Sequence, residues 1–171
     1  MKSIEEQVHT LWKEAFGDSD SFIGQFMGRY YSKENLLSIE EDGKLQSMLH
    51  LVPFWCEGKR IGIVYALATA SASRSKGYAT VLLQRAIERA KTLGYAAIAL
   101  IPAQESLFGY YHKRGFSGKY RVVFIVPDDF DFGIDDKENQ RLTIMPVTGM
   151  AVPCINGNTI TLAWEPPVHK Q

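Results

Sequence analysis

Arg74, Ser75, Lys76 and Gly77 stand between an apolar run that ends at Ala70 and a long helical pattern that opens with Tyr78 and Ala79. Two cations, a hydroxyl and a glycine at the mouth of a helix make an anion site. The first N–H groups of a helix have no partner within it, the helix dipole is positive there, and a residue without Cβ lets the backbone approach a phosphate closely. No metal is needed to hold a phosphate in this way. Further along, Tyr111-His112-Lys113-Arg114-Gly115-Phe116 carries a phenol, which can donate a proton at neutral pH, on a short helix that stops at Gly115.

Positioning these groups takes a strand, a helix and a second strand. Residues 61–70 form the first, with Val64 and Tyr65 at its middle. The helix predicted after Gly77 runs to residue 93, with Val81, Leu82, Ala86, Ala90 and Leu93 inward, Arg85, Glu88, Arg89 and Lys91 outward, and Gly94 as its cap. Residues 96–101 are apolar without interruption, as in a parallel strand covered on both faces, and the three elements make a right-handed crossover. The short helix over 105–114 groups Leu107, Phe108 and Tyr111.

Upstream, Ser3 and Glu6 form a capping-box pattern that starts a helix over 3–16, with Ile4, Val8, Leu11, Trp12 and Ala15 on one face and Gly17 at its end. A second helix over 20–31 carries Phe22, Phe26 and Tyr30 at a spacing of four; these aromatics suit core packing first and ligand contact second. Residues 36–41 and 45–52 flank Asp42-Gly43, a strong hairpin signal. Pro53 limits what can pair beside it, and 54–57 and the run from Arg60 continue the meander. His50, in an apolar strand, is either a hydrogen-bonded core residue or a general base. Beyond the short helix, 119–126, 142–147 and 159–164 are predicted strands, Asn156-Gly157 is a tight turn, and 127–138 is an acidic loop.

The chain's 171 residues fit one domain, able to bury about two thirds of its unfolded surface. We expect a single domain over 1–171 with a strand-rich extension from residue 127. Lys plus Arg equals Asp plus Glu at 19 each, so no overall basic field points to nucleic acid or to an anionic membrane. The longest apolar runs are about half a membrane span. The two cysteines, Cys56 and Cys154, show neither metal-ligand spacing nor a disulfide framework, so no metal is expected and a reduced, cytoplasmic setting is the simpler assumption.

The run from Arg74 to Ala79 resembles the R/Q-x-x-G-x-G/A signature of the GNAT superfamily of acyl-CoA-dependent N-acetyltransferases, and the run from Tyr111 to Phe116 resembles that family's Y-x-x-x-G-F element. Order and context agree: a strand precedes the first, and a helix and a strand separate the two. Residues 36–116 are most similar to the N-terminal domain of enhanced-intracellular-survival-type acetyltransferases. The resemblance implies an α/β (α+β) fold: a mixed, mostly antiparallel central sheet, a parallel splayed strand pair at its centre and helices on both faces. It implies acetyl-CoA as co-substrate, held by Arg74, Ser75, Lys76, Gly77, Tyr78 and Ala79, with the backbone of Leu67, Ala68 and Thr69 along the pantetheine arm and Gln104 where many members carry asparagine. Leu67 N–H would face the developing oxyanion, and Tyr111 would protonate the leaving sulfur. Phe26, Tyr30 and His50 are candidates for the acceptor side.

The strand carboxylate that some members use as base falls near Ile63, which cannot act, leaving Glu40, Glu41, His50, Glu105, an acidic tail residue or water. The expected function is transfer of acetyl to a primary amine of a small molecule by direct attack in a ternary complex, in a monomer or homodimer. The alternatives are a protein or peptide N-acetyltransferase, a non-catalytic acyl-CoA-binding module, and an interaction domain using exposed edge strands.

Overall fold

A computed structural model of the chain describes residues 2–126, 132, 138–149, 152 and 155–164. It comprises two compact units, residues 1–52 with 64–88, and residues 53–63 with 89–171. The architecture is mixed α/β, and hydrogen bonding links the described strands in the order β1-β2-β3-β4-β6-β5-β8-β7.

The first unit begins with α1 (Ile4–Phe16) and α2 (Asp20–Arg29). Both start as the sequence dictates: the Ser3 hydroxyl accepts from Glu6 N–H and the Ser19 hydroxyl from Phe22 N–H, while Gly17 ends α1 in the left-handed region. Their apolar stripes bury Val8, Leu11, Trp12, Ile23 and Phe26, each large side chain contributing about 2–3 kcal/mol. Strands β1 (Leu36–Glu41) and β2 (Lys44–Cys56) pair antiparallel from Leu36↔His50 to Glu41↔Lys44 around Asp42 and Gly43, both at positive φ as such a tight turn requires. β2 does not break at Pro53, as the sequence suggests. β1 reaches no farther than His50, so the missing N–H of Pro53 leaves no rung of that ladder unmade. The end of β3 (Lys59–Thr69) and α3 (Tyr78–Thr92) complete this unit. α3 buries Leu82, Leu83, Ala86, Ile87 and Ala90, whereas Val81 and Leu93, expected inward, are 42% and 52% exposed. The apolar stripe is rotated by one residue because Leu83 and Ile87 extend it on the other side.

In the second unit, β4 (Ala97–Leu100) is buried along its whole length, pairing parallel to β3 at Ile61↔Ala97, Gly62↔Ile98 and Ile63↔Ala99. Beyond that short ladder β3 runs on to Thr69. β6 (Leu142–Pro146) lies antiparallel to β4 and to β5 (Ser117–Ile125), and β8 (Thr159–Ala163) runs parallel to β5 and antiparallel to β7 (Ile155–Asn156). The Asn156-Gly157 turn feeds β8 as expected. The second parallel pair, β5 with β8, was not. A 3-10 turn, Glu105–Leu107, leads into α4 (Phe108–His112), so the helix expected over 105–114 is two shorter segments. Phe54, Phe124 and Phe132 form a ring cluster with centroids 5.1–6.0 Å apart. Cys56 is disulfide-bonded, which corrects the expectation of reduced thiols. The chain's other cysteine, Cys154, lies outside the described residues, as do the acidic-loop residues Asp128, Asp129, Asp131, Asp135, Asp136 and Lys137. No helix among the described residues is long and apolar enough to cross a membrane.

Candidate active site

β3 ends in an irregular stretch. Ala66 sits at φ 54°, a conformation that costs an L-residue roughly 1–2 kcal/mol and that re-aims the backbone immediately before Leu67. Strain of this kind inside a strand concentrates at functional sites. From there β2 holds the chain. The buried Ser47 hydroxyl donates to the Ala68 carbonyl (3.0 Å) and lies 2.9 Å from the Thr69 hydroxyl, and Ala70 N–H donates to the Gln46 carbonyl (2.8 Å). The Ser47 bond takes one lone pair of the Ala68 carbonyl. Leu67 and Thr69 are half-buried and Ala68 is buried.

The turn that follows is anchored at both ends and open between them. Buried Ser73 donates its hydroxyl to the Gln46 side-chain carbonyl, and its N–H to Ala70 O at 2.8 Å. On the far side the Tyr78 hydroxyl donates to the Glu41 carboxylate, and Val81 N–H makes a first helical bond to Gly77 O at 3.1 Å. Arg74, Ser75, Lys76 and Gly77 are all exposed, with Ser75 at φ 68° and Gly77 at φ 81°. A Cβ built on Gly77 meets no protein atom within 4 Å. Glycine is thus demanded by backbone conformation, and the space beside it is open to a ligand. Such a cationic turn at the start of a 15-residue helix is suited to a pyrophosphate.

Phe26, Tyr30 and His50 are brought together in the same unit, but as core. All three are buried, and the His50 ring lies 5.5 Å from Trp12, 5.1 Å from Phe26 and 6.0 Å from Tyr31, with Tyr65 stacked on Phe26 at 5.0 Å. Neither ring nitrogen of His50 has a hydrogen-bond partner among the described residues. Burial alone pushes its pKa down to about 3, so the imidazole is neutral at physiological pH.

The second unit holds Gln104 and Tyr111. Gln104 precedes the 3-10 turn: its carbonyl accepts from Leu107 N–H (3.0 Å) and its side-chain oxygen from the Ser106 hydroxyl (3.4 Å). Tyr111, half-buried on α4, is held between perpendicular rings, Tyr110 at 5.1 Å and Phe116 at 6.1 Å. Burial raises the pKa of its hydroxyl, the neighbouring Tyr110 adds to this, and the Arg114 cation partly opposes it, so the phenol keeps its proton at neutral pH. Gly115 fixes where α4 stops. Its φ is 103°, and a Cβ there would lie 2.8 Å from the Met145 sulfur on β6.

Ser47 and Ala66 escaped the sequence reading. A serine in an apolar strand is a visible signal, whereas an alanine about to adopt positive φ gives none. No cluster of three or more His, Cys, Asp or Glu placed to hold a metal ion occurs among the described residues.

The GNAT acetyltransferase domain family matches residues 2–118. Among solved structures, a GCN5-related N-acetyltransferase from Anabaena variabilis aligns with TM-score 0.56 and 22% identity, covering 67% of this chain and 30% of that one. The GNAT family N-acetyltransferase YhbS from Escherichia coli, solved in complex with CoA, aligns with TM-score 0.67 and 16% identity over 96% of this chain and 87% of that one. Eis1 from Mycobacterium abscessus aligns with TM-score 0.55 and 15% identity over 70% of this chain and 30% of that one. At these identities the likeness establishes the fold. The chain spans 30% of the length of the Anabaena and Mycobacterium proteins. No curated protein matches the chain by sequence.

Proposed function

The chain belongs to the GNAT acetyltransferase family, and from that premise we propose that it moves an acetyl group from acetyl-CoA to a primary amine of a small molecule, by direct attack within a ternary complex. The observation that carries this reading is the turn at 74–77, fixed at one end through Ser73 and Gln46 and at the other through Tyr78 and Glu41, and exposed between.

Bound acetyl-CoA supplies an activated thioester; the chain's own residues bind, orient and move protons. Arg74, Ser75, Lys76 and Gly77, with the first turn of α3 at Tyr78 and Ala79, hold the pyrophosphate. Ala68 and Thr69 present backbone to the pantetheine arm, Leu67 N–H faces the carbonyl oxygen as it becomes negative, and Gln104 offers its amide. Tyr111 gives its phenolic proton to the departing sulfur. Phe26, Tyr30 and His50 are buried and act on the acceptor side only as the packing behind it. Several groups expected as bases are engaged: Glu41 accepts from Tyr78, Glu105 pairs with Lys119 at 2.7 Å, and His50 has a proton affinity far below neutrality. Glu40, an acidic tail residue or water is left to take the proton from the ammonium.

The buried Ile63, where a carboxylate would serve as base, favours a second reading, an acyl-CoA-binding module without turnover. Thiol release from acetyl-CoA, followed across a panel of primary amines, separates the two. The proposal expects saturable release that depends on the amine; release indifferent to every amine overturns it.

Lys76, exposed on the turn, contributes charge alone. Lys76→Ala is expected to weaken CoA binding by about two- to fivefold and to flatten its dependence on salt, as read from titrations at two ionic strengths.

A further inference from the structure

Arg114, one residue before the glycine that stops α4, folds back on its own helix. Its guanidinium carbon stands 3.4 Å from the centroid of the Tyr110 ring, and one terminal nitrogen donates to the Tyr110 carbonyl at 2.8 Å. Its Nε is buried without a hydrogen-bond partner among the described residues, so this placement forgoes a bond that solvent would have given. A planar guanidinium stacks on an aromatic face in a way an ammonium does not. Tyr110 in turn meets Tyr111 edge-on, interplanar angle 88°, and Phe116 meets Tyr111 at 78°. Arg114, Tyr110, Tyr111 and Phe116 thus form one continuous run of contacts that includes the proposed acid.

We propose that Arg114 is a positioning residue for the proton donor: through Tyr110 it fixes the Tyr111 ring, and its charge stabilises the phenolate that Tyr111 becomes. The inference rests on the role proposed for Tyr111. In the step concerned, the Tyr111 O–H bond breaks, an S–H bond forms on the leaving thiolate, and the negative charge resides on the phenolate oxygen until water returns a proton. Burial and the neighbouring Tyr110 make that phenol a reluctant acid, and the nearby cation acts in the opposite direction.

The test is a double-mutant cycle in kcat, with acetyl-CoA and the best amine of the panel, on Arg114→Met, Arg114→Lys, Tyr111→Phe and the Arg114→Met/Tyr111→Phe pair. Arg114→Met is expected to lower kcat by about five- to thirtyfold with KM for acetyl-CoA within about twofold. Arg114→Lys should recover part of the loss, and the effect should vanish in the Tyr111→Phe background. An equal fold-loss in both backgrounds, or full activity in Arg114→Met beside a slow Tyr111→Phe, overturns this inference alone. Normal turnover in Tyr111→Phe overturns the role of Tyr111 and this inference with it. A second readout needs no turnover: NMR titration of carbon-labelled tyrosine should place the Tyr111 phenol at higher pH in Arg114→Met than in the wild type, and coincident titrations contradict the charge partnership.

Discussion

Tyr111→Phe is expected to lower kcat by about a hundred- to ten-thousand-fold while CoA binding persists, the usual range for losing one positioned proton donor. The substitution keeps the ring between Tyr110 and Phe116 and removes only the hydroxyl, whose pKa burial raises. A phenol that stays protonated across the neutral range is stocked with the proton that a departing thiolate needs. Tyr110→Phe is the control: its ring is the wall between Arg114 and Tyr111, and losing its hydroxyl should leave kcat within about twofold, as for a group outside the transition state. Equal losses at both positions would assign the effect to disturbed packing, and near-normal turnover in Tyr111→Phe would mean that water protonates the thiolate.

The second large effect concerns stability in acid. Above pH 6.5 the His50 imidazole is neutral in both the folded and the unfolded chain. Below it the unfolded chain takes up a proton that the folded chain refuses until about pH 3, so the unfolded state binds more protons and stability falls as the pH falls through that window. At 1.36 kcal/mol per pKa unit, the loss is on the order of 5 kcal/mol, a large part of a domain's stability. His50→Leu removes the titrating group together with two nitrogens that have no partner among the described residues. Its denaturant midpoint should therefore change far less between pH 6.5 and pH 3 than that of the wild type. Asp20, held low by hydrogen bonds from His9 and Lys13 and by the Lys13 charge, also loses its contribution in acid, but does so in both proteins, and the difference isolates His50. Parallel pH curves would contradict the burial.

Much of the fold was legible because local chemistry decided it. Ser3 and Gly17 bound α1, Asp42-Gly43 makes the first hairpin, and the uninterrupted run in β4 is buried on both faces. What failed depended on partners distant in sequence. The parallel pairing of β5 with β8 joins Arg121 to Thr159 and Ile125 to Ala163; alternation along a strand sets its faces and says nothing of its neighbour. Val81 and Leu93 are as apolar as Leu83 and Ile87, and only tertiary packing selects which stripe of α3 faces inward. β2 passes through Pro53 because β1 is too short to need its N–H. The same division runs through the site. The turn at 74–77 was visible as glycine and charge, but its two anchors, Gln46 and Glu41, come from the preceding hairpin. His50 was visible as a histidine among apolar residues, while the cage of Trp12, Phe26 and Tyr31 is assembled from elements apart in sequence.

A calorimetric titration of CoA into the wild type and Gly77→Val tests most directly whether the turn between β3 and α3 is the seat of the CoA pyrophosphate. In the proposed complex the phosphates approach the backbone in the open space beside Gly77, whose φ of 81° disfavours a β-branched residue. The wild type is expected to bind CoA, and Gly77→Val to lose binding by at least about a hundredfold, since both the conformation and the approach are removed. A folded Gly77→Val protein with unchanged CoA affinity would place the cofactor elsewhere and contradict the account.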